Sequence, residues 1–190
     1  MVNHIIQLID MHHTNETGVP EMKFGIVIFP SKKVQDYANS MRRRYDPHYA
    51  LIPPHVTLKS SFEATEEEIK EIANKLDSIA RNFKPVNIKV TKIGSFKPVN
   101  NVIYLKVESP EDLERLHNEL NATFDGDQEY NFVPHITIGQ KMSDDEHSDV
   151  YGSLRMSKVQ FEDTADRIHL LYQLDNGSWT VYETFRLGKE

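Results

Sequence analysis

The chain contains no cysteine. That absence excludes a disulfide framework, a thiolate nucleophile and any Cys-ligated metal, and it fits a reducing, cytoplasmic setting. Long hydrophobic runs are missing too. None approaches the ~18 residues needed to cross a bilayer, so no membrane partner is expected. No secretory signal is expected from the N-terminal residues, because the short apolar stretch His4-Ile5-Ile6-Gln7-Leu8-Ile9-Asp10 follows no basic segment. Positive charge is in deficit: 22 Lys and Arg stand against 29 Asp and Glu, a net charge of −7. Such a balance argues against a general nucleic-acid coat protein, whose affinity comes from neutralising backbone phosphates.

What is present is an ordinary globular composition, with 38% hydrophobic and 27% charged residues in 190. Residues 1–21 read as an N-terminal extension. The polar stretch Met11-His12-His13-Thr14-Asn15-Glu16-Thr17-Gly18-Val19-Pro20 has the Gly and Pro punctuation of a linker. A single bilobal domain is expected over residues 22–190.

Periodicity predicts alternating strands and helices. Residues 23–29 form an apolar run ended by Pro30, and Ser31 would cap a helix carrying Val34, Tyr37, Ala38 and Met41 on one stripe. That helix should stop before Asp46-Pro47, and Arg42-Arg43-Arg44 at its end reads as a solvated face. Thr65-Glu66-Glu67-Glu68 is a capping box for a second helix. Strands are expected at 86–93 and 102–107, a third helix from Ser109-Pro110 to about Thr123, and a fourth over 144–154. Three strands should close the chain, at 156–161, 167–173 and 179–186, the last two joined by the turn Asp175-Asn176-Gly177-Ser178. Hairpin-forming strands mixed with helices indicate an α+β architecture of two sheet-based lobes.

Against this background one pattern occurs twice. Pro54-His55-Val56-Thr57-Leu58 and Pro134-His135-Ile136-Thr137-Ile138 each follow an apolar lead-in, and their histidines lie 80 positions apart. Side chains alternate faces along a strand. His55 and Thr57 should therefore point one way while Val56 and Leu58 enter a core, and likewise His135 and Thr137 against Ile136 and Ile138. If the halves are related by a pseudo-twofold axis, two imidazoles and two hydroxyls meet across a cleft. Imidazole can give or take a proton near neutral pH, and threonine hydroxyls can orient phosphate oxygens. That set suits phosphodiester transformation with no metal and no cofactor. Lys59 falls on the same face as His55 and Thr57 and would add charge; the second motif has Gly139 at the matching position. His48 and Tyr49 are placed in the packing of the Asp46-Pro47 turn, with lining of the cleft as the alternative, His117 on a helix surface, and Tyr104 either as strand filler or as a base-stacking ring.

The paired His-x-Thr motifs resemble the 2H phosphoesterase superfamily, which includes RNA 2′,3′-cyclic phosphodiesterases and 2′-5′ RNA ligase-like proteins. Residues 22–30 and 46–55 resemble its bacterial YjcG-like subgroup in particular. The resemblance spans about residues 22–186. It implies a bilobal α+β fold with the motifs on facing central strands, and a hydrolase acting on a cyclic or 2′-5′ phosphodiester of a nucleotide or RNA end. Carried over, His55 would be the proton donor, His135 the proton acceptor, and Thr57 and Thr137 the phosphate holders. The partner implied is a phosphodiester-containing small molecule or RNA terminus, with no stable protein partner. A non-catalytic nucleotide- or RNA-end-binding protein using the same cleft is the competing expectation.

Overall fold

The computed structural model describes residues 18, 20–108, 111–124 and 131–188. Nearly all of the expected N-terminal extension, and the Ser109-Pro110 helix start, lie outside the described residues. The elements run β1 (Met22–Ile28), α1 (Lys32–Tyr45), β2 (Val56–Ala64), α2 (Glu66–Asn82), β3 (Val86–Ser95), β4 (Ile103–Glu108), α3 (Glu111–Thr123), β5 (His135–Gly139), α4 (Asp144–Leu154), β6 (Phe161–Ala165), β7 (Arg167–Gln173) and β8 (Trp179–Arg186). No helix among the described residues is long and apolar enough to cross a membrane.

Two four-stranded antiparallel sheets result, in the orders β2-β1-β7-β8 and β5-β4-β3-β6. The duplication foreseen from the motifs extends to whole elements: β1-α1-β2-α2 is echoed by β4-α3-β5-α4. Each motif strand is the edge strand of its sheet rather than a central one, which corrects the expectation of central strands. The edges come together because the helices are exchanged. α1 follows a strand of the first sheet but packs on β5 of the second, and α3 follows a strand of the second but packs on β2 of the first. Close contacts fix both crossings. The Gln140 N–H donates to the Tyr45 carbonyl at 3.0 Å. On the other side Nδ1 of His117 and the amide of Asn121 both reach the Leu58 carbonyl, at 2.7 and 3.1 Å. One contiguous apolar cluster, from Phe24 and Leu58 to Leu105 and Ile138, runs through both sheets, so the halves share a core.

Local signals explain most element ends. Thr65 and Glu68 form the anticipated capping box, and Ser143 with Glu146 form a second at the start of α4. Ser31 behaves differently: its side chain makes no cap bond, and its N–H instead donates to the Asp163 carboxylate. The strand expected over 156–161 begins only at Phe161, and Met156 is 82% exposed. The sequence of β6, Phe161-Glu162-Asp163-Thr164-Ala165, carries few apolar residues. Its place is set by pairing with β3, from Val86 against Ala165 to Val90 against Phe161. Gly177 adopts φ 83° in the β7–β8 turn, which is the left-handed geometry glycine tolerates.

Candidate active site

Each motif histidine is anchored in the same way. Nδ1 of His55 donates to the Pro53 carbonyl at 2.8 Å, and Nδ1 of His135 donates to the Val133 carbonyl at 2.6 Å. In both motifs the accepting carbonyl belongs to the residue before a proline, Pro54 or Pro134. A residue before proline is held in extended conformations, so that carbonyl is aimed by local sterics. A carbonyl can only accept, so Nδ1 carries the hydrogen and the neutral ring keeps its lone pair on Nε2. Both imidazoles are thus offered by the same ring atom.

Strand alternation holds at both motifs. Val56, Leu58, Ile136 and Ile138 are buried at 1% exposure or less, whereas His55, Thr57, His135 and Thr137 keep part of their surface. Thr57 of the first motif and Thr137 of the second line one cleft of about 260 Å³ together with His55 and Lys59. Neither threonine hydroxyl has a protein hydrogen-bond partner among the described residues. His135 stands beside this cavity rather than in its wall. Its ring is framed edge-on by Phe96 and Tyr104, at centroid distances of 4.9 and 5.4 Å, and its charge is felt by His55.

The two rings prefer to be neutral. Burial pushes His55 down to about 4, helped by the positive charges of Arg42 and His135 and opposed by the Pro53 bond and Asp46. Burial also lowers His135, against the Val133 bond. Lys59 lines the cleft but is only 6% exposed and has its ammonium 5.7 Å from the Phe62 ring centre. A bulge lies beneath this face, since Val27 pairs with Thr57 while its neighbour Ile26 pairs with Lys59. Gly139, the matching position in β5, is a packing residue. A Cβ there would come within 3.2 Å of Tyr45 Cβ, so glycine lets α1 cross the strand.

Several residues depart from the sequence reading. Arg42 is not on a solvated face: it is 2% exposed, while Arg43 and Arg44 are exposed as expected. Its Nε binds Asp46 at 2.8 Å and its Nη2 the Ile52 carbonyl at 2.8 Å. The signal was present, because Val34, Ala38 and Arg42 follow one helical stripe at i, i+4, i+8. Asp46 also accepts from the His48 N–H and from Nε2 of Gln140, both at 2.9 Å. This buried network carries the turn that delivers Pro53 and His55, and ties it to β5 of the other half. His48 is part of that turn, as expected, and its Nδ1 meets Gln140 at 3.1 Å in the cleft wall. His117 is half-buried rather than on the surface, stacked on Phe132 at 3.8 Å with 8° between the rings. Tyr104 stacks on Phe96 at 4.3 Å, over the bare backbone of Gly94. Among the described residues there is no group of three or more His, Asp or Glu placed to hold a metal ion.

A larger cavity, about 340 Å³, lies by α2 and β8. It contains no motif residue, and Arg81 and Arg167 in its wall are paired with Asp77 and Asp166. The motif residues His55, Thr57 and Thr137 line the smaller cleft instead.

Two exchanged α+β halves, each with a His-x-Thr edge strand and with Thr57 and Thr137 meeting in one cleft, define the class of protein. The chain belongs to the 2′-5′ RNA ligase superfamily, whose family model matches residues 29–177. Among similar chains is a candidate phosphoesterase of Bacillus licheniformis, 58% identical over 168 residues, covering 88% of this chain and 99% of that one. Another is a candidate phosphoesterase of Geobacillus sp. WCH70, 61% identical over 168 residues and covering 88% and 97%. The fold is shared with TT0787 of Thermus thermophilus, at TM-score 0.67 and 23% identity, covering 89% of this chain and all of that one. It is shared also with E. coli LigT, at TM-score 0.65 and 18% identity in a complex with ATP, covering 89% and 99%. LigT has in addition been solved with 3′-AMP and with phosphate.

Proposed function

We propose that this chain is a phosphoesterase that cleaves a cyclic or 2′-5′ phosphodiester, of a nucleotide or of an RNA end, by general acid–base catalysis from His55 and His135. Its relatives at about 60% identity are described as candidate phosphoesterases. The observation that carries the reading is the matched anchoring of the two imidazoles. It leaves Nε2 of each ring, and the hydroxyls of Thr57 and Thr137, without a protein partner among the described residues.

In hydrolysis, His135 takes a proton from the attacking water through Nε2, and His55 gives a proton to the departing oxygen. One proton enters and one leaves, so the pair is reset by exchange with solvent and two imidazoles suffice for both transfers. Thr57, Thr137 and Lys59 hold the non-bridging oxygens and favour the charge that develops on them. With its pKa lowered to about 4, His55 is neutral at pH 7. A phosphate anion beside it favours the imidazolium and raises its pKa, so substrate binding itself arms the donor.

The test is turnover of 2′,3′-cyclic nucleotides and short cyclic-phosphate RNAs by the native protein, His55→Ala and His135→Ala, with and without EDTA. Turnover that survives EDTA and is lost in both variants is expected. Binding without turnover of any substrate would instead identify a nucleotide- or RNA-end-binding protein, and loss of turnover in EDTA would require a metal.

A further inference from the structure

Phosphate chemistry leaves one wall of the motif cleft without a role. Besides Thr57 the cleft is lined by Lys59 and Ser61 of β2 and by Trp179, the single tryptophan of the chain. Successive positions on one face of a strand are ~7 Å apart, the scale on which a ribose separates a phosphate from its base.

Trp179 is firmly placed although it opens β8. Its N–H donates to the Leu51 carbonyl at 2.8 Å, which ties it to the turn leading into His55. The six-membered edge of its indole leans over Gly25 of β1: a Cβ at Gly25 would lie 3.7 Å from Cζ3 and 3.9 Å from Cη2. Gly25 and Leu171, paired neighbours on β1 and β7, line the same cleft as the ring. The ring is half-buried and therefore has surface left to give to a ligand.

Among the described residues no aromatic ring of the His135 half lines the cleft. Phe96 and Tyr104 lie against each other with 30° between their rings, and each meets the His135 ring in a T-shaped contact. The cleft is thus lopsided, with an apolar planar wall on the half that supplies His55 and none opposite. Its volume, about 260 Å³, is below the ~300–1,000 Å³ of a site for a drug-sized ligand. A ligand group held within it is on the scale of one nucleotide.

We infer that Trp179 forms the stacking wall of a nucleobase subsite, which seats a single terminal nucleoside on the β1–β2–β8 side while its phosphate lies between the two motifs. This rests on the placing of the phosphate given above. Stacking on an indole tolerates all four bases, because each has a π-face, so the subsite selects for a base over none and not for one base over another. Ser61, a further lining residue of β2, is in position to meet the sugar or the base edge.

A lone tryptophan makes the test direct. Adenosine 3′-phosphate added to the native protein should quench its fluorescence saturably, and inorganic phosphate should not. By calorimetry the nucleotide should bind about 5- to 150-fold tighter than phosphate, the range a stacked base contributes. Trp179→Leu should erase that advantage and Trp179→Phe should keep most of it. Quenching by neither ligand overturns the inference, and this readout needs no variant to fold. So does a folded Trp179→Leu protein that keeps the nucleotide's advantage within twofold. These ligands do not react, so a Trp179-dependent base preference stands even where cyclic phosphates are not turned over. Turnover with a base preference indifferent to Trp179→Leu sinks the subsite and leaves the two-histidine mechanism intact.

Discussion

Arg42 and Asp46, one turn apart at the end of α1, form an ion pair at 2.8 Å with both side chains only 2% exposed. Each also serves the cleft, Arg42 by holding the Ile52 carbonyl and Asp46 by accepting from Gln140 of the opposite half. Removing one partner of a buried pair strands the other charge, which costs about 3–5 kcal/mol. Arg42→Met and Asp46→Leu should each lose that much in urea denaturation. The double variant should recover part of the loss, because no uncompensated charge remains. Activity should not recover with it, since the turn that aims Pro53 and His55 has lost both of its ties. Single variants within about 1 kcal/mol of native, far short of that cost, would show that the network is not the clamp described.

Gly94 underlies the ring next to His135. A Cβ at Gly94 would lie 2.7 Å from Cζ of Tyr104, inside any real contact. Gly94→Ala should therefore displace Tyr104, disturb its stack on Phe96 and loosen the edge contact on His135. Overpacking of this kind costs about 1–3 kcal/mol. Thermal melts should show that loss, with reduced turnover of a cyclic nucleotide. Adding Tyr104→Leu to Gly94→Ala should return most of the stability and not the activity. Unchanged melts for Gly94→Ala alone would refute the placement of the ring.

Which parts of this architecture could be read from the letters follows from where the information lies. His55, Thr57, His135 and Thr137 were legible because alternation along a strand is local, and two copies of one pattern imply two copies of one geometry. The elements from β7 to β8 were legible for the same reason, with Gly177 marking their turn. β6 was misplaced because its residues are mostly polar and its position is dictated by β3. Arg42 was misread because a basic run at a helix end is ordinarily solvated, and only the crossing of α1 onto β5 buries it. His117 was assigned to the surface for the matching reason, since α3 crosses onto β2. The exchange of helices between halves is a tertiary fact with no short-range signature.

Acid should destabilise the protein through His55. Its folded pKa, about 4, lies below the ordinary value of 6.5. Between those values the unfolded chain binds more protons than the folded one, so stability rises with pH across that window. The contribution is complete above pH 6.5 and is lost as pH falls towards 4. A shift of this size corresponds to at most about 3 kcal/mol. His55→Asn cannot titrate, so its stability should fall less than native as pH is lowered from neutral into that window. His135, His147 and His169 are lowered too and will keep some acid sensitivity in the variant. Equal pH dependence in native and variant proteins would show that His55 titrates normally.

Thr57 and Thr137 separate catalysis from folding most cleanly. Their hydroxyls have no protein hydrogen-bond partner among the described residues, and both side chains are partly exposed to the cleft. Valine has nearly the same shape and lacks only the hydroxyl. Thr57→Val and Thr137→Val should therefore leave denaturation midpoints close to native. If the hydroxyls favour charge developing on the phosphate oxygens, each substitution should lower kcat by about 10²-fold, the cost of deleting one such donor. If they only hold the bound phosphate, KM should rise while kcat is kept. Serine at either position restores the hydroxyl without the methyl group and should recover most of the activity. A loss under about threefold for both valine variants would leave the hydroxyls without a catalytic task, and the cleft would then present two histidines and Lys59 alone to the phosphate.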